Sequence, residues 1–340
     1  MGHSTGYGPR YGPRYGPRYD GQVIALGILW LLAAAAASIY TRQYGIPAHL
    51  AIAVFPAFLL EITFYYALGM ERWRARLEKL SPAVVGLVLT LAGVAPYCVA
   101  SLALGNFEAR SLGWICLAAA ISSFWYVVLP HRAATDLAFV AYLTAMWVTN
   151  LVRGEYISPH PRLHVEVLGQ LMWIRTGALA MLCIRRVKGV GFGFWPKQQE
   201  WKIGLGYFVA LVPVAAAVAW TIGFTRPHLP PLDWDREIGL AVGTFFGVLW
   251  VVAVGEEFFF RGLLQQWFAA WLKNEWVGLV LASAVFGAVH LWFRAFPNWR
   301  FAVLAGIAGV FYGLAFRQAR SIRASMVTHA LTVTTWRLFF

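Results

Sequence analysis

The chain is poor in charge, nearly free of cysteine, and lacks the common signatures of a metal or disulfide protein. Only 13% of its 340 residues are Asp, Glu, Lys or Arg, whereas 60% are hydrophobic. Ordinary soluble domains carry about a quarter charged residues, so this composition excludes a soluble globular chain. Cys98, Cys116 and Cys183 each stand alone inside an apolar run, which excludes a disulfide framework or a CxxC metal site. No HExxH is present, and the one His-x3-His pair, His160 and His164, encloses Pro161, which favours a loop. Acids are scarce, 15 against 28 Lys and Arg, for a net charge of +13. The basic residues fall between apolar runs rather than along one stripe, so nucleic acid is not an expected partner.

What is present is length and repetition of apolar sequence. The YGPR motif occurs three times in register within residues 1–21, and glycine and proline every fourth position cannot build a core. A basic, disordered tail is expected there, with no cleavage pattern to remove it. Apolar runs follow at 22–40, 50–69, 82–104, 112–129, 137–152, 167–184, 203–223, 238–262, 277–293, 300–316 and 324–339. A spanning helix needs roughly 17–25 residues, and backbone polar groups in lipid must be satisfied within the segment. The fold expected is therefore all-α, a polytopic transmembrane bundle of about 10–11 spans, with the short run 137–152 the uncertain one. Seventeen Lys and Arg fall on the tail's side of the alternating loops and nine on the other. This bias places the N-terminus in the cytoplasm, and a bacterial inner membrane is the expected location. The loops 185–202 and 224–236 are the longest, and a boundary near 200 divides a bundle over 22–200 from a unit over 201–340.

Ionisable groups inside a membrane are costly and mark function by default. They cluster after residue 255: Glu256, Glu257 and Arg261 in VGEEFFFRGLL, His290 closing FGAVH, and His329 in SMVTHALTV. Glu257 and Arg261 are spaced i,i+4 with the acid first, the favourable order for an ion pair. Glu256 is rotated about 100° away and can face a different space. With a turn near Lys273–Glu275, Glu256 lies 18 residues before Asn274 and His290 lies 16 after it. Similar distances from the tip of an antiparallel hairpin predict that Glu256 and His290 meet, with Phe286 one turn from His290 on the same face. Earlier in the chain, Glu61 and Arg175 are expected to pair or to snorkel.

The set EEFFFR, FGAVH and HALTV, with 34 residues from Glu256 to His290 and 39 from His290 to His329, resembles the CPBP family of intramembrane proteases. That family includes CAAX endopeptidases and bacteriocin-processing or self-immunity proteins, and the resemblance covers residues 200–340. It implies an intramembrane glutamic protease, a hydrolase acting on a membrane protein or peptide, lipidated or not, within the lipid bilayer. The implied catalytic residues are Glu256, Glu257, His290 and His329, with Arg261 and Phe286 in support; Thr332, at i+3 from His329 and facing nearly the same way as residue 333, is the substitute for the donor that Val333 lacks. A carboxylate among apolar helices is a stronger base than one in water. Glu256 would activate the water, His290 orient it, and His329 stabilise the oxyanion. No cofactor is expected; zinc on Glu256, His290 and His329 is the alternative. Many family members carry asparagine four residues after the last histidine, where this chain has Val333. That departure keeps a catalytically impaired scaffold or immunity protein as the alternative, ahead of a proton-coupled transporter, for which no inverted repeat is visible.

Overall fold

The computed structural model describes residues 19–224 and 234–339; the YGPR repeats and most of the proline-bearing loop 224–236 lie outside the described residues. Among the described residues there is no strand, and ten helices are long and apolar enough to cross a membrane. The elements are α1 (Tyr19–Gln43), α2 (Ala48–Gly69), α3 (Glu71–Leu77), α4 (Pro82–Leu104), α5 (Ala109–Val128), α6 (Ala133–Val148) and α7 (Glu166–Leu179). They continue with α8 (Gln198–Thr221), α9 (Trp234–Gly247), α10 (Ala253–Glu257), α11 (Gln266–Trp271), α12 (Glu275–Val289), α13 (Trp299–Ala319) and α14 (Ile322–Phe339). The last apolar run thus forms a helix, yet α14 is not among the ten spans. Much of it is buried, from Ile322 to Ala330, so its polar residues face protein rather than lipid.

The basic loops gather at one end of the bundle. Arg185 pairs with Asp136 at 2.9 Å, Arg186 donates to the Glu78 carbonyl, Arg323 pairs with Glu200, and Arg317 and Arg320 both hold Glu275. The opposite end is closed by Tyr40 donating to the Arg162 carbonyl and Asn106 to that of Ile157.

The expected boundary at 200 falls inside the first turn of α8, and one apolar core runs across it, from Tyr65 and Leu89 to Phe286 and Phe316. The segment 187–196 makes the crossing. Its Val190 carbonyl accepts from Ile322 N, that of Gly191 from Ser321, that of Phe192 from Arg74, and that of Phe194 from Trp250. Gly191 has a φ of +60°, and a Cβ there would meet Ser321 at 2.5 Å, so the close approach needs glycine. Phe194 stacks on Tyr65 of α2, and Phe192 stands edge-on to Phe258, directly after Glu257.

Glu61 and Arg175 pair in the N-terminal bundle through two contacts, at 2.8 and 2.9 Å, and both are almost fully buried. Arg175 also donates to the Ala92 carbonyl and lies over Phe64. Removing one partner strands a buried charge, whereas replacing both with apolar groups does not. Glu61→Leu is expected to cost about 3–5 kcal/mol, and Glu61→Leu with Arg175→Met to recover most of it, measured by thermal unfolding in micelles. Equal losses in the single and double variants would contradict this.

Candidate active site

The two adjacent glutamates sit on one continuous helix, Glu237–Trp271. It contains two wide, π-type stretches, Val248–Val252 and Phe258–Gln265, and α10 lies between them. Such stretches shift the direction of the side chains that follow, and they recur at functional sites. The two acids face different surroundings, as their 100° offset requires. The Glu257 side chain is wholly buried, while that of Glu256 is 36% exposed.

Glu257 is held from two sides. Arg261 Nε lies 3.2 Å from its Oε2, an ion-pair contact too bent for a hydrogen bond, and Arg261 Nη1 donates to Oε1 at 3.4 Å. His329 Nδ1 lies 2.8 Å from the same Oε1. Arg261 is itself buried completely and spends another N–H on the Gly309 carbonyl, at 3.0 Å. Its guanidinium lies 4.5 Å from the centre of the Phe286 ring and 5.3 Å from that of Tyr312, so aromatic faces replace water around the cation. Tyr312 also stacks on the His329 ring at 4.7 Å. Gly309 lets α13 come this close, since a Cβ there would lie 3.3 Å from Arg261 Nη2.

The histidines are arranged alike but stand in different places. His329 Nδ1 faces a carboxylate and His290 Nδ1 faces the Phe286 carbonyl at 2.6 Å. Neither an ionised carboxylate nor a carbonyl can donate, so Nδ1 carries the proton in both rings and Nε2 faces away from that partner. Nε2 of His329 lies 3.8 Å from Glu256 Oε2. This corrects the expected hairpin contact. The turn falls where predicted, with Lys273 at φ +52° and Asn274 capping α12. Glu256, however, has His329 of α14 as its neighbour, and His290 makes no ion pair with it. The Phe286 ring contacts both imidazoles, 4.7 Å from His290 and 6.1 Å from His329. Equal depth in a hairpin does not determine how the two helices rotate about their axes.

Thr332 does not offer a free proton at the position next to Val333. Its hydroxyl donates to the Thr328 carbonyl at 2.7 Å. Val333 is partly buried against the apolar core.

Residues 238–335 match the family model described as type II CAAX prenyl endopeptidase, Rce1-like. The match runs from the long helix to the last turns of α14, and so takes in Glu256, Glu257, Arg261, His290 and His329. No curated protein and no solved structure matches the chain. With its ten apolar helices, the chain carrying this Rce1-like segment is an integral membrane protein.

The zinc alternative asks Glu256, His290 and His329 to converge. Among the described residues no three His, Cys, Asp or Glu side chains come together as a cation-holding group. As placed, these side chains do not form that donor set in the Rce1-like segment.

Tyr312, Gly309 and Gln265 belong to this site and were not expected from the sequence. Gln265 donates to the Gly313 carbonyl one helical turn from the Arg261–Gly309 contact. Tyr312 lies in an apolar run with no ionisable neighbour to mark it. The small residues Gly306, Gly309 and Gly313 were the available signal, since such spacing lets helices in lipid pack closely. Arg261→Lys keeps the charge but loses the planar fork that serves Glu257 and Gly309 together. We expect it to lower the unfolding free energy by about 2 kcal/mol, with a matching fall in the thermal midpoint in micelles. An unchanged midpoint would contradict the arrangement.

Proposed function

We propose that the protein is an intramembrane endopeptidase of CAAX type in which Glu256 activates water. The observation that carries this reading is the pairing of an accessible Glu256 with His329 Nε2 at 3.8 Å, beside a buried Glu257 already neutralised by Arg261. That separation is too long for a hydrogen bond. It leaves room for a water off the axis that bonds to both atoms at ordinary lengths. Glu256 would take a proton from this water as its oxygen attacks the scissile carbonyl carbon, and return the proton to the departing amine as the C–N bond breaks.

With a second proton taken up from solvent on Nε2, His329 would donate from that nitrogen to the oxyanion while Nδ1 stays on Glu257. Glu257 and Arg261 orient that ring and do not touch substrate. His290, its Nδ1 held on the Phe286 carbonyl, would present Nε2 to the substrate rather than to Glu256. The substrate class is a membrane-associated protein or peptide, in keeping with the Rce1-like match and the apolar walls, and a lipidated segment suits both. The basic end of the bundle faces the cytoplasm by the charge bias of its loops.

Val333 favours a second reading, a scaffold on the protease fold with little activity. Valine offers no donor where asparagine would, and the Thr332 proton is already spent within its helix.

The test is cleavage of a quenched, C-terminally prenylated peptide by the chain reconstituted in vesicles. Wild type should cleave, His329→Ala should lose about 10²–10³ in rate, and Glu256→Ala at least about 10². Val333→Asn should raise kcat by about tenfold or more, since one oxyanion donor is worth at least that. Cleavage that survives Glu256→Ala would sink the mechanism. A wild type that is inactive until Val333→Asn is introduced would select the scaffold.

A further inference from the structure

Away from the glutamates, α8 and α13 leave a groove open at the basic end of the bundle. Two adjoining cavities of about 340 Å³ each share Tyr207 and Gln318 as common wall. The upper part is cationic. Lys202 lies on the first turns of α8, and Arg317 and Arg320 lie at the end of α13, facing the single carboxylate of Glu275. Glu275 fixes both arginines, at 2.9 and 2.7 Å, and Arg317 also lies over the Trp276 ring at 4.0 Å. Each guanidinium has five N–H groups, so donors remain for a second anion. Three cations against one acid leave an excess of positive charge, and Lys202 has no carboxylate partner among the described residues.

Deeper down, the lining changes character. From Gln199 to Ala210 the wall runs eleven residues along α8, about 16 Å at 1.5 Å per residue, and passes from Gln199 and Lys202 to Ile203, Gly206 and Ala210. Leu314 completes the apolar part from α13. A Cβ on Gly206 would meet nothing within 4 Å, so this is open space and not a packed helix contact. The neighbouring Leu205 and Val209 are exposed apolar residues on a spanning helix, so the groove opens sideways toward lipid.

A cationic mouth over an apolar slot is the shape of an amphiphile with an anionic head. We propose that this groove binds an anionic phospholipid, its phosphate between Lys202, Arg317 and Arg320 and an acyl chain along Gly206 and Ala210. Tyr207 and Gln318, at the junction, donate to the headgroup at the depth where aromatic residues favour the membrane interface. Basic pockets between spanning helices recognise anionic headgroups by the same physics. The site is separate from Glu256 and stands whether or not the chain is a protease.

The test uses the full chain in micelles, with short-chain phosphatidylglycerol as probe and the rise in the thermal midpoint as readout. Phosphatidylcholine and inorganic phosphate are the control arms. Phosphatidylglycerol should raise the midpoint, and neither control should. Lys202→Gln with Arg320→Gln should weaken binding roughly thirtyfold, taking about 1 kcal/mol per charge. Gly206→Leu should fill the slot and abolish the shift without lowering the unliganded midpoint, since leucine favours a helix over glycine. Three results would each overturn the proposal: an equal shift with phosphatidylcholine, an equal shift with inorganic phosphate alone, or wild-type binding by the charge and slot variants.

Discussion

A carboxylate with no access to water must be neutralised where it stands, and the arrangement around Glu257 is the consequence. Arg261 supplies the charge from one turn away, and His329 supplies a proton from another helix. The guanidinium then needs its own partners. It finds the Gly309 carbonyl and the faces of Phe286 and Tyr312, which is why α12 and α13 come so close to the charged helix. Removing any one of these leaves a buried polar group unserved, and such losses cost more than the contact itself contributes.

Two neighbouring acids thereby stand in different surroundings, one buried and one partly exposed. In the proposed mechanism Glu257 is a positioning residue, its carboxylate paired with Arg261 and facing His329 Nδ1. Glu256, one residue earlier and a third of a turn away, keeps an accessible carboxylate beside His329 Nε2. The imidazole connects them, oriented by one acid toward the other. Segment 187–196 ties this region to the N-terminal helices through Phe192 and Phe194, so the candidate site is supported by the whole bundle and not by the C-terminal helices alone.

Much of this was legible in the residues. Apolar run length marks the spanning helices, the i,i+4 spacing marks the Glu257–Arg261 pair, and Lys273–Glu275 marks the turn. The Rce1-like match over 238–335 agrees with the family resemblance carried by the three motifs. What could not be read was rotation between helices. Spacing says which face a residue occupies on its own helix, but the partner of that face depends on packing. His290 was therefore expected beside Glu256, where His329 stands. Tyr312 was invisible for a related reason, being one aromatic residue in an apolar run until α14 brings His329 against it. The reach of 187–196 into both halves depends on backbone carbonyls and tight glycines, which leave little trace in composition.

The division of labour between the two glutamates is the central claim, and stability separates them most directly. The measurement is the thermal midpoint of Glu256→Gln and of Glu257→Gln, each in micelles beside wild type. Glu256→Gln should unfold with wild type, because its carboxylate is partly exposed and neutralises no buried cation. Glu257→Gln should fall well below, with Arg261 left buried and uncompensated at a cost of about 3–5 kcal/mol. Equal midpoints for the two variants, or a larger loss at Glu256, would contradict the account.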